Sequence, residues 1–271
     1  MVTVADPTTW DDLFNRAVDD HEIQFVRPAD IDGPAWGAYD NGRFLGMVHA
    51  ERDGDGPSWR IGATAEHHRE LDDAVRALRR PPSWPREREQ VGHWARRLLA
   101  DESLVAVDVE STGLKNACAV QIAVVARDGR VLLDELLDPQ GVMIEPDAIR
   151  VHGITADRLR DAATFSTLLD RLAAVLHGRS VVAYGTFDRE AFARELLRHF
   201  GDQEQADAWL ASCRWYSAME AYAVFKGLWS ASRGAYRFQK LGGPHDAAAD
   251  ARLVFDRLQQ IAATIPAPRS W

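Results

Sequence analysis

Asp108 and Glu110 end the most apolar run of the chain, Leu104-Val105-Ala106-Val107. On a strand, residues i and i+2 point to one side. Two carboxylates placed so face each other's charge, and burying them is costly unless a cation or hydrogen bonds compensate. Mg²⁺ and Mn²⁺ take oxygen ligands, which carboxylates supply. Asp-x-Glu is a short pattern, and alone it is more often a solvent-facing strand end. Asp188 follows Val181-Val182-Ala183-Tyr184-Gly185-Thr186-Phe187, where a strand turns into a helix. The plain alternative is a first-turn aspartate favoured by the helix dipole. Asp250 lies in Ala247-Ala248-Ala249-Asp250-Ala251, where small side chains let a helix approach another element closely. It reads as well as a surface aspartate. His245 follows Gly242-Gly243-Pro244, five residues before Asp250. An imidazole there can take a proton from water near neutral pH. It can equally be a helix-start histidine bonded to backbone. Spacing alone does not bring these five residues together; the fold must.

A sheet is needed to position them. Leu104–Glu110 reads as a central strand buried on both faces and broken at Ser111-Thr112-Gly113. Ala117–Ala126 and Val131–Leu137, joined by Arg127-Asp128-Gly129-Arg130, complete an antiparallel meander. Helical periodicity follows over Phe165–Leu176, then a strand at Ser180–Tyr184 and a helix at Asp188–Phe200. Gly201–Ala208 reads as a variable polar stretch, Trp215–Gly227 as mixed helical, and His245–Thr264 as a last helix. Residues 101–266 are therefore expected to form an α/β domain with a mixed sheet. Residues 1–98 read as a smaller α+β domain of unassigned role. Trp10, Leu13, Phe14 and Ala17 recur at helical spacing, Asp40-Asn41-Gly42 signals a hairpin, and Asp53-Gly54-Asp55-Gly56-Pro57 a second turn. A helix from about Ala65 to Arg80 follows. Three short strands and two helices bury little apolar surface, so this part is expected to be marginal alone. Pro81-Pro82-Ser83-Trp84-Pro85 opens a connector over about 81–100 that becomes helical from Arg86.

Composition narrows the classes. The chain has 271 residues, 46% hydrophobic and 27% charged, with the two kinds interspersed. That excludes wholesale disorder, and no run of about 18 apolar residues offers a membrane span. The formal charge of −9 excludes a non-specific basic coat for nucleic acid but leaves room for a local basic groove. Cys118 and Cys213 are the two cysteines, too few for a disulfide framework, and a reducing compartment is expected. The opening Met1-Val2-Thr3-Val4-Ala5-Asp6 has no basic region followed by an apolar stretch, so no secretory signal and a cytoplasmic location are expected.

Four segments, taken in order, resemble the DEDDh 3′–5′ exonucleases, the group that includes the proofreading subunit of bacterial replicative polymerase, RNase T and oligoribonuclease. They are Val107-Asp108-Val109-Glu110-Ser111-Thr112-Gly113, Val151-His152-Gly153-Ile154-Thr155, Phe187-Asp188-Arg189-Glu190-Ala191-Phe192 and His245-Asp246-Ala247-Ala248-Ala249-Asp250-Ala251. The similarity runs from about Leu104 to Thr264. It implies a ribonuclease H-like fold, a five-stranded mixed sheet flanked by helices. It implies that Asp108, Glu110, Asp188 and Asp250 hold two divalent ions, Mg²⁺ or Mn²⁺, with His245 as general base. The implied reaction is hydrolysis of terminal phosphodiesters at single-stranded DNA or RNA 3′ ends, releasing nucleoside 5′-monophosphates. Ser111, Thr112, Gly113, His152 and Ile154 would lie beside the terminal nucleotide. Trp229, Tyr236, Arg237 and Lys240 would form an aromatic-basic wall for the strand, or else anchor an irregular loop. A polymerase or other protein partner is compatible with this reading, and the oligomeric state is open. Histidine rather than tyrosine at 245 selects the DEDDh branch. The asparagine that commonly precedes the second-motif aspartate is missing; Ala183-Tyr184-Gly185-Thr186 stands there. An inactive nuclease domain serving as a nucleic-acid-binding adaptor is the main alternative, and retention of all four acids with His245 argues against it. A glycosidase-like carboxylate hydrolase would leave two of the acids and His245 unexplained. The sequence does not choose between DNA and RNA.

Overall fold

The computed structural model describes residues 10–53, 56–62 and 64–265. They fall into two compact units. The first comprises the described residues up to Glu87, completed by residues 226–237 from far along the sequence; the second holds the rest.

In the first unit, β1 (Leu13–Val18), β2 (His21–Val26), β3 (Ala35–Asp40), β4 (Arg43–Asp53), β5 (Gly56–Ile61) and β6 (His67–His68) form an antiparallel sheet in chain order, followed by helix α1 (Leu71–Leu78). The Asn-Gly signal holds: Asn41 and Gly42 both take positive φ, 48° and 76°, between β3 and β4. The second expected turn is flanked by β4 and β5, and its Gly54-Asp55 lie outside the described residues. The expected helix over Trp10–Ala17 is corrected to a strand. Phe14 and Val18 point inward while Leu13, Asn15 and Ala17 are exposed, and Phe14 stacks on Phe25 of β2 at 4.7 Å. Phe14 and Val18 are four apart, a spacing that one face of a strand and one stripe of a helix share, so spacing alone could not separate them. The helix expected from about Ala65 starts only at Leu71, because His67 and His68 pair with β5. Trp36, Trp59, Ile23 and Phe25 form the core with Leu71, Ala74 and Val75.

Helix α2 (Trp84–Ala100) carries the chain into the second unit. There follow β7 (Val105–Ser111), β8 (Ala119–Ala126), β9 (Val131–Leu136), α3 (Pro146–His152), α4 (Phe165–Leu176), β10 (Ser180–Ala183), α5 (Phe187–Phe200), α6 (Gln203–Ala211), β11 (Arg214–Ser217) and α7 (Met219–Lys226). A short hairpin, β12 (Trp229–Ser230) and β13 (Ala235–Tyr236), belongs to the first unit. Helix α8 (Ala247–Ala262) is the last element. The sheet order is β11-β10-β7-β8-β9. β8 is antiparallel to both β7 and β9, whereas β10 is parallel to both β7 and β11. This is the mixed five-stranded sheet that the resemblance implied.

β7 is central and buried on both faces. Val105, Val107 and Val109 join the core under α4, α5 and α6; Ala106 joins the opposite core with α2, α7 and α8. The variable polar stretch Gly201–Ala208 leads into and forms most of α6. Asp202 caps it, accepting the Gln205 N–H at 2.8 Å, and Ala206, Trp209 and Leu210 reach the core. Its charged and amide residues lie on the outer face and masked this three-residue stripe. No helix among the described residues is long and apolar enough to cross a membrane.

Candidate active site

Alternation along β7 places Asp108 and Glu110 with Ala106 on the side covered by α8. Asp188 lies in the first turn of α5, and its Oδ1 accepts the Val109 N–H at 2.9 Å. The same helix is tied to β8 by buried Glu195, which accepts the Ala119 N–H at 2.8 Å. Asp250 sits in the first turn of α8, whose Ala247 and Ala248 pack on Ala123 of β8. The small side chains do what the sequence suggested: they let α8 lie close to the sheet. Asp246 caps α8, accepting the Ala249 N–H at 3.0 Å.

All four acids and His245 line one cavity of about 600 Å³. One ligand atom each of Glu110, His245 and Asp250 lie within 4.8 Å of one another. Burial, reinforced by Asp188, Glu110 and Asp250, holds the Asp108 carboxyl well above its ordinary range. Burial also pushes Glu110 up to about 7, with Asp250 and Asp188 adding repulsion. Asp188 is raised to about 7 by burial, against the hydrogen bond from Val109. Asp250 is raised by burial, an effect that His245 opposes. His245 takes φ +59°, a left-handed conformation of the kind that costs on the order of 1 kcal/mol and gathers at functional sites.

The donor set suits hard divalent cations. Oδ1 of Asp250 is buried and has no hydrogen-bond partner, and several carboxylates converge with too few donors to neutralise them. A cation supplies both missing terms. Gly243 is part of this fit, because a Cβ there would overlap the Asp250 carboxylate. Gly243→Ala is expected to displace Asp250 and weaken Mn²⁺ binding by roughly tenfold or more in calorimetric titration. Wild-type affinity in that variant would mean the loop gives way instead.

The other sequence-derived positions divide. Ser111, Gly113 and His152 line the cavity. Ser111 Oγ donates to the Gly113 carbonyl at 2.7 Å. His152 Nδ1 accepts the Ile154 N–H at 3.0 Å, which leaves Nε2–H to donate to the Ser111 carbonyl at 3.1 Å. Its hydrogen-bonding capacity is thus spent on joining the end of α3 to the end of β7. The Thr112 side chain is buried, and its Oγ1 accepts the Cys118 N–H at 3.0 Å, closing the loop after β7. Ile154 is a correction. It is 2% exposed in a small core with Val120, Ile144 and Leu159, not in the cavity wall. Tyr236 and Arg237 belong to the first unit, where the Tyr236 hydroxyl donates to Glu87 and Arg237 pairs with Asp19. Trp229 packs edge-on against Tyr236 at 5.0 Å. Trp229, Tyr236 and Arg237 are thus anchored locally within the first unit, as the loop alternative describes.

Residues missed by sequence reasoning also line the cavity, among them Leu114, Glu145, Val151, Met219 and Leu241. Leu114 is 81% exposed immediately after Gly113. Glu145 lies against Gly113, where any Cβ would overlap its carboxylate. Neither carries a signal beyond its neighbourhood, since the loop folding that brings them in is not local.

A family model described as an exonuclease, RNase T, matches residues 105–256. A protein of Escherichia phage 186 described as an uncharacterized exonuclease, CP81, is 24% identical over 181 residues, 62% of this chain and 92% of that one. Among solved structures, exonuclease I of Methylocaldum szegediense shares 20% identity over 57% of this chain and 39% of its own, with a TM-score of 0.45. Escherichia coli exonuclease I in complex with a dT13 oligonucleotide shares 17% over 59% and 41%, TM-score 0.47. Exonuclease X in complex with 5′ overhanging duplex DNA shares 22% over 59% and 92%, TM-score 0.39. The matched region thus spans about two fifths of the length of the exonuclease I chains.

Proposed function

Because this chain belongs to the RNase T family of exonucleases, we propose that it is a divalent-metal-dependent 3′–5′ exonuclease acting on single-stranded or frayed DNA or RNA ends. One observation carries the reading: four acids from β7, α5 and α8 and a histidine from the approach to α8 line a single cavity. Asp108, Glu110, Asp188 and Asp250 would hold the ions. Bound there, Mg²⁺ or Mn²⁺ supplies positive charge that acidifies water and stabilises a departing alkoxide. An imidazole nitrogen of His245 accepts a proton from the attacking water. The water oxygen bonds to the terminal phosphorus, the bond from phosphorus to the 3′ oxygen breaks, and a nucleoside 5′-monophosphate leaves. The chain needs no covalent nucleophile for this, and the two cysteines, both buried, have no part in it.

A labelled-oligomer panel tests the proposal. With Mg²⁺ or Mn²⁺, 5′-labelled single strands should shorten progressively from the 3′ end, and chelator should stop the reaction. Comparing DNA, RNA and mismatched duplex ends would assign the substrate. Intact oligomers after incubation with folded, metal-supplemented protein would sink the enzymatic reading, and binding without turnover would favour the adaptor.

A further inference from the structure

Between Tyr236 and Ala247 the chain has no regular secondary structure, yet this stretch delivers His245 to the cavity. Gly242 and His245 both have positive φ, 80° and 59°, so the path turns sharply twice just before α8. Side-chain hydrogen bonds among the described residues tie it down at two carbonyls. The Tyr184 hydroxyl donates to the Gln239 carbonyl, and Arg257 Nη2 donates to the Leu241 carbonyl at 2.7 Å. The two anchors are themselves joined through Tyr222. Its ring meets that of Tyr184 edge-on at 6.4 Å, and the Arg257 guanidinium lies 5.2 Å from its centroid.

The origin of each anchor matters. Tyr184 directly follows β10, four residues before Asp188, and Arg257 lies two helical turns beyond Asp250 on α8. The segments that deliver two of the acids therefore also grip the loop that carries the histidine. Tyr184 and Leu241 line the cavity as well, so the gripped loop is part of its wall.

We propose that Tyr184 and Arg257 are positioning residues that latch residues 239–245 and so fix the His245 imidazole beside Glu110 and Asp250. The latch rests on the proposed role of His245 but is read separately from it. Neither residue touches the reacting atoms. Their effect runs through two backbone carbonyls and the short stretch of chain beyond them.

The test uses the full chain with Tyr184→Phe, Arg257→Met and Arg257→Lys. Hydrogen exchange is followed at the amides of 239–245, and kcat and KM are measured on a labelled oligonucleotide. Tyr184→Phe keeps the ring and removes one hydrogen bond, so kcat should fall by roughly five- to tenfold. KM should stay within about twofold, because phenylalanine keeps the ring that Tyr184 contributes to the cavity wall and only the bond to the loop is lost. Exchange at 239–245 should accelerate while the rest of the chain keeps its protection. Arg257→Met should behave alike, and Arg257→Lys, which can still donate to the Leu241 carbonyl, should recover most of the loss. Unchanged exchange in Tyr184→Phe, or accelerated exchange with unchanged kcat, overturns the proposal. If the wild type cleaves no oligonucleotide, the functional reading falls; the exchange comparison then decides the latch alone, upheld by loss of protection and overturned by none.

Discussion

Asp108→Asn should leave a folded protein whose phosphodiester hydrolysis is slower by roughly a thousandfold or more. The amide keeps the shape of the carboxylate but removes the charge that a hard cation needs. Asp108 is the acid that feels every other member of the cluster: Asp188, Glu110, Asp250 and Asp246 all raise its pKa beyond the effect of burial. Losing that charge therefore weakens the cation site at its centre. The same change removes like-charge repulsion, so without metal the variant should melt above the wild type. Loss of activity together with a gain in thermal stability is the diagnostic pair. A packing defect would lower both. Initial rates on a labelled oligomer and melting curves in chelator give the two readings, and retention of activity within about tenfold would remove Asp108 from the mechanism.

The sequence brought out the cavity-lining acids better than the architecture around them. Asp108, Glu110, Asp188 and Asp250 were legible because acids are out of place at the end of an apolar strand, at a strand–helix junction and among alanines. Each anomaly is local, and each survives in the structure as a cavity-lining group. The mixed sheet was legible for a similar reason, since β7 is a continuous apolar run and the Asp-Gly turn after β8 is short. The placement of Ile154 was not legible because sequence order beside a motif does not say which way a side chain turns. It enters a core, while the Thr112 hydroxyl closes its own loop. Tyr236 and Arg237 pack with the first unit, because residues 226–237 join it, a long-range choice that local pattern does not record. The first unit itself was misread at β1, where Leu13 and Ala17 completed a helical stripe with Phe14 although in the strand they face outward.

The cluster also sets a pH dependence of stability that metal should erase. The ordinary values for Asp and Glu here are 3.8 and 4.5, whereas Glu110 and Asp188 are raised to about 7 in the folded chain. Within that window the unfolded chain has lost protons that the folded chain keeps, so unfolding releases protons and stability falls as pH rises. The loss begins near the ordinary values and is complete above about 7, amounting to a few kcal/mol on the order of these shifts. Asp101 works in a different window. Hydrogen bonds from Ser180 and Ser103 lower it to about 2, so its stabilising effect is lost only in acid, as pH falls from its ordinary value through 2. His49 and His152, both lowered by burial, gain stability as pH rises toward 6.5 and partly oppose the acids there. Comparison with Asp108→Asn cancels those histidine contributions. In chelator, the wild-type melting temperature should fall by several degrees between pH 5 and pH 8, and the variant's should fall less. Saturating Mn²⁺ at pH 8 should restore the wild type, because a ligand that binds the folded state alone stabilises it by mass action, and should do little for the variant. A metal-free wild type that is equally stable at both pH values would mean that the acids are not held together as a charged cluster. The case for a divalent-ion site would then lose its energetic basis, since it is the repulsion among these carboxylates that a cation relieves.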